Sequence, residues 1–292
     1  MKISLVICTK NRAKRLSCCL SYVARIKCSW EWEVIVVNNA STDHTEVVLD
    51  EFAGATSVRF RRLYESLAGT GFAKNTGWRL AEGEYIAFID DDCYPQEDYL
   101  EQVIACLDEG PWGFVGGRAL LFDPTDYPIT IQTSEVRKEY SAFGYITPGE
   151  IHGANFAFRR SALEAVMGFD PMFGAGTRYP CEDVDVLARI LGAGWTGLYD
   201  PRPVVYHHHQ RKGTAVSKLV RTYDRGRGAF YAKCMMKPAL RKHYLYNWAR
   251  HMRYQPIMSI LRELGGSLEY WIKRSWRWFS TRFEEKPWTL AL

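Results

Sequence analysis

Tyr85 to Ile89 is an unbroken run of aromatic and aliphatic residues, and it ends in three carboxylates, Asp90, Asp91 and Asp92. A short apolar run without alternation reads as a strand buried on both faces. Three adjacent acids repel, and each resists ionising beside its neighbours unless a cation or hydrogen-bond donors share the site. A divalent metal removes that cost. Hard oxygen ligands with open positions suit Mg²⁺ or Mn²⁺, which can in turn hold phosphates. The plainer reading is an acidic cap on a helix beginning at Pro95, for which one Asp suffices.

Before this strand the chain alternates strands and helices. Ile3 to Ile7 is a first strand, broken by Cys8-Thr9-Lys10-Asn11-Arg12 before a helix reaching about Ile26. Glu33 to Val37 is a second, followed by Asn38-Asn39-Ala40-Ser41-Thr42-Asp43, where Ser41 or Thr42 is placed to cap the next helix. Val58 to Leu63 is a third, leading to Gly69–Gly77 and another helix. Three such units predict a parallel, doubly wound sheet, and polar strand-to-helix junctions are where open α/β sheets bind ligands. The Gly69–Gly77 segment has neither the phosphate-loop ending nor the dinucleotide spacing. Its glycines either bring backbone close to a nucleotide or serve turns.

Farther on, Phe114 to Leu121 and Gly153 to Arg160 are strand-like, with an irregular stretch at 123–148 that faces substrate or simply connects. Ser161 is placed to cap a short helix. Glu182 and Asp183 open a helix whose Val184, Leu187, Ala188 and Leu191 share a face. Acids on a first turn are also what the helix dipole favours without any chemistry. Of His207-His208-His209, one is expected as a metal ligand and the others at the surface.

With 292 residues, 47% of them hydrophobic, the chain supports one large domain plus an appendage. The start shows no signal peptide and no stretch is long enough to span a membrane, so the expectation is cytoplasmic. Eight cysteines without paired metal-type spacing fit reduced thiols. The net charge of +5 hides a split: from Arg211 onward stand 18 Lys and Arg against five Asp and Glu, so residues 1–210 are acidic. That asymmetry suggests an anionic partner for the tail, membrane or phosphate.

In this order the sequence resembles the family 2 glycosyltransferases of the GT-A fold. The resemblance is carried by Val6–Arg12, Val36–Asp43, Ala73–Asn75, Gly83–Asp92, Gly153–Arg160, Gly168–Asp170 and Glu182–Asp185. It implies a GT-A catalytic domain at residues 1–212 and a basic, Trp-rich helical extension at 213–292. It also implies inverting transfer of a sugar from a nucleotide diphosphate donor to a saccharide or lipid-linked acceptor, in surface polysaccharide or glycolipid synthesis. Thr9, Asn11 and Arg12 would line the nucleotide pocket, with Asn38 and Lys74 near the base and Asp90 and Asp91 also on the donor. Asp90 and Asp92, on the Asp-x-Asp motif, with His207 (His208 as substitute), would hold Mn²⁺ or Mg²⁺ on the diphosphate. Asp183, paired with Glu182, falls on the general base. Asn38 departs from the usual Asp; an amide both donates and accepts, so base choice is affected.

A metal offsets charge developing on a departing diphosphate, and a carboxylate takes the acceptor's proton; one displacement inverts and needs no enzyme nucleophile. In the tail, Leu219, Tyr223, Gly226 and Phe230 suggest one helix. Ile257, Ile260, Leu261, Leu264, Leu268, Trp271 and Ile272 suggest another, which Gly265-Gly266 should kink or break. Five tryptophans, at 248, 271, 276, 278 and 288, fall in this region. The stripe either lies in a membrane interface, making the enzyme peripheral on the inner face, or packs on the catalytic domain or a second subunit. A sugar-phosphate nucleotidyltransferase lacks its basic glycine-rich loop here. A nucleic-acid binder is opposed by the acidic first 210 residues.

Overall fold

The computed structural model describes the backbone of residues 1–284, and the side chains of those residues except 214, 215 and 276–284. Trp276, Trp278 and Trp288 therefore fall outside the described side chains. In chain order the elements are β1 (Ile3–Thr9), α1 (Ala13–Val23), β2 (Trp32–Asn38), α2 (Thr45–Ala55), β3 (Arg59–Tyr64), α3 (Thr70–Leu80), β4 (Tyr85–Asp90), β5 (Cys93–Pro95), α4 (Tyr99–Asp108), β6 (Trp112–Leu121), β7 (Lys138–Tyr140), β8 (Asn155–Arg159), α5 (Arg160–Ala165), α6 (Glu182–Gly192), β9 (Thr196–His207), α7 (Gly213–Met235), α8 (Pro238–Met252) and α9 (Ile257–Glu284).

One sheet runs β3-β2-β1-β4-β8-β6-β9-β5, with β7 on β9. It is a mixed sheet, which corrects the expectation of a mostly parallel one. The pairs among β3, β2, β1 and β4 are parallel, but β8 inserts antiparallel between β4 and β6, and β5 and β7 run antiparallel to β9. The strand–helix rhythm that fixed the first half stops after α4, so nothing in the pattern betrayed the reversal.

β4 is buried on both faces as its composition requires. Tyr85, Ala87 and Ile89 join one apolar cluster with α1 and α4, while Ile86 and Phe88 join the other. In the second cluster the Phe88 ring meets Phe156, Phe158 and Phe169 at centroid distances of 5.2 to 5.9 Å, and each such buried ring contributes about 2 kcal/mol from area alone. Ala229, Phe230, Tyr231, Tyr244, Trp248 and Tyr270 belong to the same cluster, so the C-terminal helices share the core of the sheet.

Several local expectations need correction. Pro95 ends the strand β5, and the helix starts four residues later at Tyr99. Neither Ser41 nor Thr42 caps α2; Asp43 accepts from the Thr45 N–H at 3.1 Å and also from the Ala13 N–H at 3.0 Å. Ser161 lies inside α5 and caps nothing. Gly69 precedes α3 and Gly71 and Gly77 lie within it. A Cβ at Gly77 would run into Val6, so this glycine seats α3 on β1. Gly265-Gly266 does not break α9, which continues through it.

Candidate active site

The parallel register pairs Thr9 with Asn38 and Cys8 with Asp90, so β1, β2 and β4 end together at one edge of the sheet. Asp91 turns toward β1, where the Thr9 hydroxyl donates to its Oδ2 at 2.7 Å and Arg12 Nη1 to its Oδ1 at 2.8 Å. Arg12 Nη1 also reaches Asp92 Oδ2 at 3.1 Å, so Asp91 and Asp92 share one guanidinium. The antiparallel pair Cys93–His207 brings β9 alongside, and ligand atoms of Asp90, Asp92, Cys93 and His207 all lie within 4.8 Å of one another.

Asp92 is the most heavily partnered of the three acids. His207 Nε2 is 3.4 Å from its Oδ1, and Arg12 and Arg15 each place Nη1 3.1 Å from its Oδ2. Burial alone would raise its pKa, but the bond and charge of His207, with those arginines, outweigh it and hold the carboxyl low. Asp90 is the opposite case. Burial comes first and pushes it up to about 6 against the pull of Lys74, and among the described residues its side chain accepts no hydrogen bond. His207 Nδ1 sits 3.3 Å from the Thr130 carbonyl, an acceptor that holds a proton there and leaves Nε2 for a cation.

This donor set fits a divalent cation. Two carboxylates and one imidazole suit Mn²⁺ or Mg²⁺ with positions left for phosphate oxygens, and Asp90 lacks the partner such a cation would supply. Burial pushes the Cys93 thiol well above its usual range, and a soft sulfur suits Mn²⁺ or Mg²⁺ less well than the carboxylates and imidazole beside it. A second group, Asp123, Asp126 and His208, already has its cation: Lys212 Nζ is 2.8 Å from Asp126 Oδ1.

The surface placement of His209 is corrected, and His208 is half-buried. His207 and His209 are both buried, the latter with Nδ1 3.7 Å from Asp126. His208, the suggested substitute ligand, instead meets the Tyr94 hydroxyl at 3.0 Å and leaves the Asp90–Asp92 group to His207. β9 carries a register irregularity between Tyr199 and Val204, and from His207 to Gln210 the chain meets the irregular segment 123–132, through the Thr130 carbonyl and Asp126. That is how consecutive histidines escape the surface.

Across the cluster, Lys74 on α3 reaches the first turn of α6, its Nζ 3.1 Å from Glu182 Oε1. Asp183 accepts from the Gly153 N–H through Oδ2 at 3.1 Å and from the Val184 N–H through Oδ1 at 2.8 Å. Burial and then the charge of Glu182 raise its pKa to about 6. Cys181, immediately before, has φ of 128°, a strained backbone that aims the turn. Asn38 lies elsewhere: its Oδ1 accepts from the Ser41 N–H at 2.9 Å and its Nδ2 donates to Glu46 at 2.5 Å. Asn11 accepts from the Thr42 N–H at 2.7 Å, tying the β1 and β2 loops together. Lys74 and Asn38, expected beside one base, thus have separate neighbours.

Sequence reasoning missed Arg15, Thr130 and Glu46. Arg15 lies one turn beyond Arg12 on α1, and that spacing was the available signal. A cavity of about 900 Å³ lined by Met1, Trp30, Ser57 and Arg59 opens at the opposite ends of the strands and holds none of these residues.

Residues 4–167 match the family model for glycosyl transferase family 2. The chain belongs to that family. Among curated glycosyltransferases it is 30% identical over 110 residues to poly(ribitol-phosphate) beta-N-acetylglucosaminyltransferase TarS of Staphylococcus aureus, covering 37% of this chain and 19% of that one. To the pre-mycofactocin glycosyltransferase of Mycobacterium tuberculosis it is 25% identical over 214 residues, covering 71% of this chain and 43% of the relative. The chain thus spans less than half the length of each of these relatives. In fold it is similar to the mannosyltransferase PcManGT of Pyrobaculum calidifontis, solved with GDP-Man and Mn²⁺, at a TM-score of 0.63 and 20% identity, covering 94% of this chain and 82% of that one. The transferase has the GT-A architecture with added C-terminal helices.

Proposed function

We propose that this glycosyltransferase moves a sugar from a nucleotide diphosphate donor to an acceptor hydroxyl with inversion, using Asp183 as general base. The observation that carries the reading is the separation of two kinds of carboxylate along one edge of the sheet. Asp90 and Asp92 converge with His207 on one group of ligand atoms, whereas Asp183 stands apart on the first turn of α6, held by the Gly153 and Val184 N–H groups and raised to about 6, where a base both accepts and releases a proton near neutral pH.

Asp90, Asp92 and His207 would hold Mn²⁺ or Mg²⁺, which when bound supplies positive charge to the leaving diphosphate. The chain's own cations add to this. Arg12 and Arg15, now on Asp91 and Asp92, are within one side chain's reach of any phosphate bound there, and Thr9 keeps Asp91 in place. Asp183 Oδ2, pinned by the Gly153 N–H, keeps a lone pair for the acceptor proton. Asn38 and Asn11, with Glu46, are placed to meet the nucleoside end of the donor at the tip of β2. The acceptor we favour is a saccharide or lipid-linked sugar of a surface polymer or glycolipid, for which the polymer named for TarS is the support, while GDP-Man and UDP-GlcNAc in the neighbours' complexes support a nucleotide-diphosphate donor.

Calorimetry on two variants tests the division of labour. Asp183→Asn is expected to abolish transfer and leave donor binding nearly intact, whereas Asp92→Ala weakens metal-dependent donor binding. Normal turnover by Asp183→Asn removes the base.

A further inference from the structure

We infer that the outward face of α9 docks the protein on an anionic lipid bilayer. The inward face of that helix is already used: Glu263, Gly266 and Tyr270 are buried against α7 and the core. On the opposite side stand Ile257, Leu261, Leu264, Leu268, Trp271 and Ile272, all between 47% and 75% exposed. Their spacing of three and four puts them on one stripe, running about 22 Å along the helix at 1.5 Å per residue. The helix is thus seated through a buried acid, a glycine and a tyrosine, and the apolar stripe takes no part in that packing. An exposed apolar patch of that length marks an interaction surface.

Charge selects the occupant. Arg253 lies just before the stripe and Arg274 just after its last residue; both are exposed and neither has a carboxylate within ion-pair distance among the described residues. The same holds for Lys218, Arg221, Lys237, Arg241, Lys242 and Arg250 on α7 and α8. Every acid between 211 and 275 is spent internally: Asp224 on Arg227 and Arg262, Glu263 on Arg227, and Glu269 on Arg178, Arg225 and Lys273. Among the described side chains up to residue 275, the charges these helices leave unpaired are therefore cations. A second copy meeting this face by a two-fold axis would bring like charges together, whereas a bilayer with anionic headgroups satisfies both the cations and the apolar stripe of a helix lying in its plane.

The test is flotation of the full 292-residue chain with phosphatidylcholine vesicles, with and without phosphatidylglycerol. The chain is expected to float with the anionic vesicles, to float less as salt is raised, and to remain in solution with the neutral ones. Leu261→Asp combined with Leu268→Asp, both solvent-facing, should lower the bound fraction at least about tenfold with the circular dichroism unchanged, and Arg253→Glu with Arg274→Glu should do the same. Wild-type protein left in solution with anionic vesicles overturns the inference. So does a dimer on size exclusion that the double Asp variant splits while its vesicle binding matches wild type.

Discussion

Lys74 on α3 and Glu182 on α6 form an ion pair with Nζ 3.1 Å from Oε1, and Lys74 is 2% exposed. Burial alone would lower the lysine pKa, but Glu182, Asp90 and Asp183 outweigh it and keep it raised. One ammonium thus serves both the β4 carboxylates and the turn that carries the proposed base. Lys74→Met should strand Glu182 and cost about 3 kcal/mol or more in urea unfolding, because a buried charge is left unpaired. It should also move the acidic limb of the activity profile to higher pH, since Asp183 loses a cation. An unchanged profile would leave Lys74 a purely structural pair.

The carboxylate strand, the acids at Glu182-Asp183 and the first three βα steps were legible because each is local: an apolar run, a polar junction, a helical stripe. What escaped is non-local. The antiparallel insertion of β8 and the return of β9 beside β5 place His207 at Asp92, and no periodicity within either segment encodes that meeting. Arg15 escaped because an arginine on a helix ordinarily faces solvent; its partners, Asp92 and Gln210, are both distant in sequence.

The pH dependence of transfer follows from Asp183. Its carboxyl accepts a proton only when ionised, and its pKa stands near 6. Turnover under saturating substrates should therefore be level above that value and fall about tenfold per pH unit below it. A profile flat to pH 5 would separate Asp183 from the proton transfer.

The close crossing of α7 and α9 at Gly228 and Gly266 explains why Gly266, one of the two glycines that read as a helix breaker, sits inside α9. A Cβ at Gly228 would overlap the backbone carbonyl of Glu263, and one at Gly266 that of Arg225, so the helices touch backbone to backbone. Gly228→Ala should cost about 3 kcal/mol and lower the melting temperature, as overpacking against rigid backbone does. Gly265→Ala, with nothing within 4 Å of its Cβ, should be neutral or slightly stabilising. Equal effects at the two sites would contradict the crossing.

Lys233 of α7 closes a second internal network, its Nζ 2.6 Å from Asp185 and 2.7 Å from Asp170. Asp185 lies in the first turn of α6, two residues from Asp183. Lys233→Met should destabilise the fold and lower kcat more than it raises KM for donor, because the turn that holds Asp183 loses its anchor. A loss confined to KM would place the effect at the donor instead.

The central claim is a cation site at the tip of β4, and manganese binding followed by electron paramagnetic resonance tests it most directly. With a nucleoside diphosphate present, the wild-type chain should remove free Mn²⁺ from solution at one site, and Asp92→Ala and His207→Ala should each weaken that binding by at least about tenfold. Identical titrations for the wild type and both variants would contradict it.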